Sequence, residues 1–253
     1  MELKSTEGYR VISRWLAAKN FIPFSFQEET WQHIANKKSG LVNAPTGCGK
    51  TFSVFLGAVI NFINDHPQNY QTKSKNGLQL LWITPLRALA KDLGRAMEEV
   101  IAELGMSWKV GIRNGDTTVA ERAKQKRNVP EVLIITPESL HLLLAQKHYP
   151  DVFKTLKIIA VDEWHELLGS KRGVQVELAL SRIIGSRIDS KPTNKTENNF
   201  GLCLWGISAT IGNLSEAKDA LLSPLSQTRV DEKTFGTITA KMDKPIQIES
   251  IFP

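Results

Sequence analysis

Residues 44–51 read Ala44-Pro45-Thr46-Gly47-Cys48-Gly49-Lys50-Thr51, between a short apolar run and a helical pattern. Two glycines let backbone N–H groups converge on phosphate oxygens, and a helix starting near Lys50 adds the positive end of its dipole. Lys50 is then placed to reach the β- and γ-phosphates of a nucleotide, and the Thr51 hydroxyl to ligate Mg²⁺. Ala44 stands where the strict pattern has glycine, and Cys48 reads as a loop filler. The plainer alternative is a glycine-rich turn with a solvated lysine, and the strand–loop–helix context argues against it.

A second cluster lies downstream, where the apolar run 157–161 ends in Asp162-Glu163-Trp164-His165. Alone, an acidic pair there could simply cap a helix. After a phosphate loop it matches what phosphoanhydride hydrolysis needs. Asp162 can hold Mg²⁺ through water, and Glu163 can orient and deprotonate the attacking water. Adjacent residues point to different sides of the chain, so one serves the metal and the other the water. Trp164 reads as a packing aromatic.

These clusters need a scaffold. Strand patterns fall at 41–44, 78–84, 109–112, 132–136, 158–162, 202–208 and 246–251. Helix patterns fall at 6–19, 27–36, 50–64, 86–104, 118–125, 139–146, 174–184 and 214–222. Their alternation predicts an α/β fold with a mostly parallel twisted sheet and helices on both faces. The strands are continuously apolar, as expected when both faces are covered. In such sheets ligands gather at the carboxyl ends of strands. Polar clusters do follow six successive strands, at 46–51, 84–87, 115–116, 136–138, 162–163 and 208–210. Residues 185–199 and 68–76 read as polar loops.

Bulk properties narrow the partners. The net charge of +6 favours a polyanion without proving one. The two cysteines, Cys48 and Cys203, have no metal-ligand spacing and make no disulfide framework, which fits a reducing, cytoplasmic setting. No apolar run reaches membrane-spanning length, so no membrane partner is expected. His33, His66, His141 and His148 have no partner pattern.

Asp162-Glu163-Trp164-His165 is similar to motif II of the superfamily 2 DEXH-box helicases, and Ser208-Ala209-Thr210 resembles their motif III. Gln27 sits where the adenine-reading glutamine of the Q-motif does. Thr84-Pro85-Leu86-Arg87-Ala88-Leu89 resembles motif Ia, and Thr136-Pro137-Glu138-Ser139-Leu140 resembles motif Ib. The segments 113–117 and 169–173 resemble the Lhr (large helicase-related) branch, and within it the ligase-associated DEXH-box helicases.

The resemblance implies a P-loop NTPase of three-layer, RecA-like fold. An N-terminal helix (1–20) would pack on a RecA-like lobe (21–245), and 246–253 would begin a linker to a second RecA-like lobe absent from the chain. ATP and Mg²⁺ are the implied cofactors. Gln27 would contact adenine, and His165 with Ser208 and Thr210 would couple the γ-phosphate state to domain movement. Thr84, Arg87, Thr136, Glu138 and the Gly115-Asp116 turn would contact the backbone of a single nucleic-acid strand, DNA favoured over RNA. Pro85 would shape its loop, and Glu138 is as readily a helix cap, because a carboxylate repels phosphate. Lhr-type proteins are DNA-dependent ATPases moving 3′ to 5′ with a repair association, and the ligase-associated branch implies a DNA ligase and a nuclease as partners. Three readings stand beside a DNA helicase lobe: an RNA helicase lobe, an ATP-gated binding module without turnover, and another P-loop enzyme such as a kinase. A kinase would not need the further strand-end clusters. With no motif VI cluster in the sequence, the chain is expected to be one lobe of a larger engine.

Overall fold

The computed structural model describes residues 2–189, 201–209, 211–226 and 235–240. The run 246–251, the 246–253 segment and Thr210 lie outside them. A 3₁₀ turn (Leu3–Ser5) precedes α1 (Glu7–Ala18), α2 (Ser25–Ala35), β1 (Ser39–Asn43) and α3 (Lys50–Asp65). Then come β2 (Leu80–Ile83), α4 (Arg87–Glu103), β3 (Val110–Arg113), α5 (Val119–Arg127), β4 (Val132–Ile135), α6 (Pro137–Leu144) and α7 (Tyr149–Phe153). The chain continues with β5 (Ile158–Val161), α8 (Trp164–Leu167), α9 (Lys171–Asp189), β6 (Cys203–Ser208), α10 (Leu214–Ser226) and β7 (Phe235–Thr239).

Among the described residues seven strands form one sheet in the order β3-β4-β2-β5-β6-β1-β7, and every pairing there is parallel. Parallel neighbours need crossovers, and the helices that supply them cover both faces. Alternate strand residues feed two cores. Leu80 and Trp82 of β2 join a core with α1 to α4, while Leu81 and Ile83 join one with α6 and α8 to α10. The same alternation runs through β4, with Val132 and Ile134 opposite Leu133 and Ile135.

Three expectations are corrected. The stretch 235–239, to which the sequence assigns no strand pattern, is a strand. It pairs with β1 from Ser39↔Phe235 to Asn43↔Thr239, and only Ile238 of the five is buried. Residues 185–189 continue α9 rather than opening a loop. Two short helices, α7 and α8, were not anticipated.

The N-terminal segment packs on the sheet's helical layer. Thr6 caps α1 by accepting the Tyr9 N–H, and Ile12 and Leu16 are buried. Gly8 crosses α3 so closely that a Cβ would lie 2.3 Å from the Ile60 carbonyl oxygen, and the Gly8 N–H donates to Asn64 Oδ1 at 2.7 Å. Alanine is better than glycine within a helix by about 1 kcal/mol. Gly8→Ala should nevertheless lower the thermal unfolding midpoint by roughly 2–10 °C, because overpacking outweighs propensity. A raised midpoint in a calorimetric scan would show that α1 does not hold this contact.

Candidate functional site

The phosphate loop joins β1 to α3. Gly47 and Gly49 have φ of +80° and +73°, which side chains with a Cβ rarely adopt. At Gly49 a Cβ would also stand 2.8 Å from Gln27 Nε2. Gln27, in the first turn of α2, accepts the Phe24 N–H through Oε1 at 2.9 Å and donates from Nε2 to the Gly49 carbonyl at 3.0 Å. Each amide atom retains one further hydrogen-bonding position, enough to meet one donor and one acceptor on a base edge. Beside it a cavity of about 350 Å³ is lined by Phe21, Phe24, Cys48 and Phe52. Cys48 is buried there, as a filler would be.

Lys50 opens α3, is 7% exposed, and its Nζ has no hydrogen-bond partner among the described residues. Asp162 follows β5 and is buried. Its Oδ2 accepts from Trp82 Nε1 at 3.3 Å and its Oδ1 from the Glu163 N–H at 3.0 Å. Burial, then the neighbouring Glu163 charge, push its carboxyl up to about 6 against the partial relief of Trp82 and Lys50. An orphaned buried ammonium and a destabilised buried carboxylate are the two charges that a polyphosphate and a divalent cation would satisfy together. With Thr51 in the first turn of α3, the residues present fit a Mg²⁺–nucleotide. Among the described residues no cluster of three or more His, Cys, Asp or Glu could hold a metal alone, so phosphate oxygens and water would supply most of its ligands.

Glu163 sits at φ +48°, a left-handed conformation unusual outside glycine. That turn starts α8 and brings His165 back toward the strand ends. His165 Nδ1 lies 3.4 Å from Glu163 Oε2 and 3.0 Å from Ser208 Oγ at the end of β6. The structure thus brings Glu163, His165 and Ser208 together in one polar row.

The strand-contact candidates gather on the other half of the same edge. Arg87 opens α4 with its guanidinium 3.0 Å from where a Gly115 Cβ would stand and 4.0 Å from Asp116 Oδ1. Thr84 and Thr136 are buried, and the Thr84 hydroxyl accepts the Leu86 N–H, so any part they play in binding a strand passes through the loops they shape. Glu138 lies in the first turn of α6, where its carboxylate pairs with Arg172 at 2.7 Å. Arg172 also donates to the Pro85 carbonyl at 3.0 Å. One arginine on α9 therefore ties the loop after β2 to the loop after β4. Six clusters scattered through the sequence fall into two contiguous blocks: the ends of β3, β4 and β2, then those of β5, β6 and β1.

The profile of the DEAD/DEAH box helicases matches residues 24–217. The chain belongs to the DEAD/DEAH box helicase family. Within that family it is similar to the Lhr helicase/uracil glycosylase of Escherichia coli K12, 34% identical over 172 residues covering 64% of this chain and 11% of that protein. It is 30% identical over 248 residues to the ATP-dependent helicase Lhr-Core of Sulfolobus acidocaldarius, covering 96% of this chain and 26% of the relative. The structure of Mycobacterium smegmatis helicase Lhr bound to ssDNA and AMP-PNP superposes with a TM-score of 0.71 at 27% identity, over 95% of this chain and 28% of that one. The chain spans about a quarter or less of the length of these helicases. The DEAD-box helicase Mss116, at 19% identity and a TM-score of 0.69, shares the fold. Among the described residues no helix is long and apolar enough to cross a membrane.

Sequence reasoning missed three contributors. Trp82 holds Asp162 from the adjacent strand, where Trp82 pairs with Ala160. The Phe21 and Phe24 rim has a signal in the sequence, since Phe24 lies three residues before Gln27. Arg172 has none beyond its place in the 169–173 segment, because its partners lie 34 and 87 residues away.

Two outcomes follow from this geometry in the helicase chain. The Asp162 carboxyl keeps its proton to about pH 6 when folded and to 3.8 by its ordinary value, so its cost to folding grows as pH rises from 3.8 to about 6 and is constant above that. Asp162→Asn should raise the unfolding midpoint of the nucleotide-free chain above pH 6, the gain shrinking as pH falls toward 4; a loss at pH 7 contradicts the assigned environment. Arg172→Ala should cost up to about 1 kcal/mol, because the ion pair with Glu138 is largely exposed and screened by solvent. Arg172→Ala/Glu138→Gln should recover part of that in urea melts, and strictly additive losses would mean the two do not interact.

Proposed function

We propose that this chain is the nucleotide-binding lobe of an ATP-dependent, Lhr-like DNA helicase or translocase. One observation carries the reading: the division of a single sheet edge into a polyphosphate half and a strand-facing half. Mg²⁺–ATP would lie with its phosphates on Gly47–Thr51 and its adenine by Gln27 and Phe24. Lys50 would offset charge on the terminal phosphate, Thr51 and Asp162 would orient the cation, and Glu163 would hold the attacking water. The Glu163–His165–Ser208 row would carry the γ-phosphate state from β5 to β6, with Thr210 beyond it. Arg87, Gly115 and Asp116 would follow the backbone of one strand, on the loops that Thr84, Pro85, Thr136 and Glu138 shape.

DNA is favoured over RNA because the Mycobacterium smegmatis Lhr relative holds ssDNA. A role in repair, and a ligase or nuclease partner, remain part of the proposal through the resemblance alone. Charge on the terminal phosphate oxygens is commonly offset by an arginine finger worth about 10³–10⁵ in rate. We place that finger on a second RecA-like lobe, so the 253-residue chain alone should turn over slowly.

Isothermal titration with the non-hydrolysable AMP-PNP and Mg²⁺ tests the reading. The wild-type chain should bind, Lys50→Ala should bind at least about tenfold more weakly through loss of a charge-assisted contact, and Glu163→Gln should bind like wild type. Equal affinity in wild type and Lys50→Ala would remove the phosphate loop from the proposal. In parallel, affinity for a single strand should fall steeply with salt as counterions are released. A salt-independent affinity would remove the backbone grip.

A further inference from the structure

Arg113 ends β3 at the edge of the sheet, on the face opposite Ile112. It is 5% exposed, and among the described residues its guanidinium has no hydrogen bond or ion pair, with Nε fully orphaned. Guanidinium groups remain charged even when buried, although burial, together with the nearby Arg122, lowers this one. An unpaired buried cation opposes folding unless a counter-charge meets it.

Arg113 lines a cavity of about 160 Å³ together with Gln125 and Lys126 of α5, Gln146, and His148 and Asp151 at α7. Its floor is apolar, formed by Pro130, Leu133 and Leu143. Asp151 does not neutralise Arg113, because its carboxylate is paired with Lys154 and exposed to solvent. Gln125 is fixed by donating from Nε2 to the Ile112 carbonyl at 3.0 Å, which leaves its buried Oε1 without a donor. The wall thus offers orphaned N–H donors on a cation and an orphaned acceptor beside them.

We propose that this cavity is a site for a small phosphate monoester or inorganic phosphate, separate from the phosphate loop. Monohydrogen phosphate has oxygens to accept from Arg113 and Lys126 and one hydroxyl to donate to Gln125 Oε1. A sulfate ion has the same shape and charge but no hydroxyl at neutral pH, so it leaves Gln125 orphaned. A nucleic-acid diester lacks the hydroxyl too. The cavity's volume suits a single phosphate group with a short substituent.

Thermal unfolding of the whole chain, titrated with inorganic phosphate or sulfate at constant ionic strength, tests this. The wild-type midpoint should climb with phosphate, as for any ligand that binds only the folded state, and climb less with sulfate. Lys50→Ala removes the phosphate loop's own share of the response, and what remains reports this site. In that background Arg113→Met, which replaces the unpaired charge with an apolar chain of similar length, should unfold at a higher midpoint than Lys50→Ala alone without phosphate and give no response to it. Should that variant fail to fold, Gln125→Leu decides, because it should respond equally to phosphate and sulfate. The proposal is overturned if Arg113→Met in the Lys50→Ala background responds like Lys50→Ala alone, or if it is less stable than Lys50→Ala without phosphate, which would mean that the guanidinium is paired within the chain. It is also overturned if the phosphate response disappears in Lys50→Ala, if Gln125→Leu retains the preference for phosphate, or if only a single strand without terminal phosphates gives an Arg113-dependent shift.

Discussion

Parallel pairing is the constraint from which the arrangement of this lobe derives. A parallel strand cannot be joined to its neighbour by a tight turn, so each returns through a helix and every strand ends at the same edge. All six pairings here are parallel. The loops that carry chemistry are therefore delivered to one side of the molecule whatever their separation along the chain. Strand order then decides which loops become neighbours. The insertion of β5 and β6 between β2 and β1 separates the phosphate loop from the loop after β2 and gives each its own set of companions.

The buried charges impose the next level of order. Lys50 and Asp162 both lie within the protein, and neither is fully satisfied by it. The local backbone is adapted to keep them there: left-handed glycines at 47 and 49, and a left-handed Glu163 immediately after the carboxylate. For Glu163 that conformation is strained, and such strain persists only where surrounding packing enforces it. The packing is supplied by Trp82 and Trp164, both fully buried, one holding Asp162 and the other anchored to the Ala217 carbonyl.

The chemistry of the site was legible in the sequence to the extent that it constrains residue type. Gly47, Gly49, Lys50 and the Asp162-Glu163 pair can be read because few other residues serve those ends, and the apolar runs before them announce buried strands. Contacts between distant segments were not legible. Nothing in the neighbourhood of Arg172 points to Glu138 or Pro85, and nothing near Trp82 points to Asp162. β7 was missed for a different reason: Phe235-Gly236-Thr237-Ile238-Thr239 lies at the sheet edge with one strand neighbour and needs just one buried side chain, so it lacks the continuous apolar signature of the inner strands. Helix α9 was cut short at Gly185 because glycine there reads as a stop, although the helix carries its roughly 1 kcal/mol cost and runs on to Asp189.

The border between the two halves of the edge is the β2–β5 pairing, four residues on each side and all of them buried. Trp82 stands on one side of that border with its indole on Asp162, and two residues later the same strand becomes the loop whose Pro85 carbonyl is gripped by Arg172. Close-packed strands of this kind transmit displacement with little compliance. The border is therefore stiff: the strand that holds Asp162 by the Trp82 indole runs without a break into the loop held at Pro85 by Arg172, so neither contact can be repositioned without straining the other.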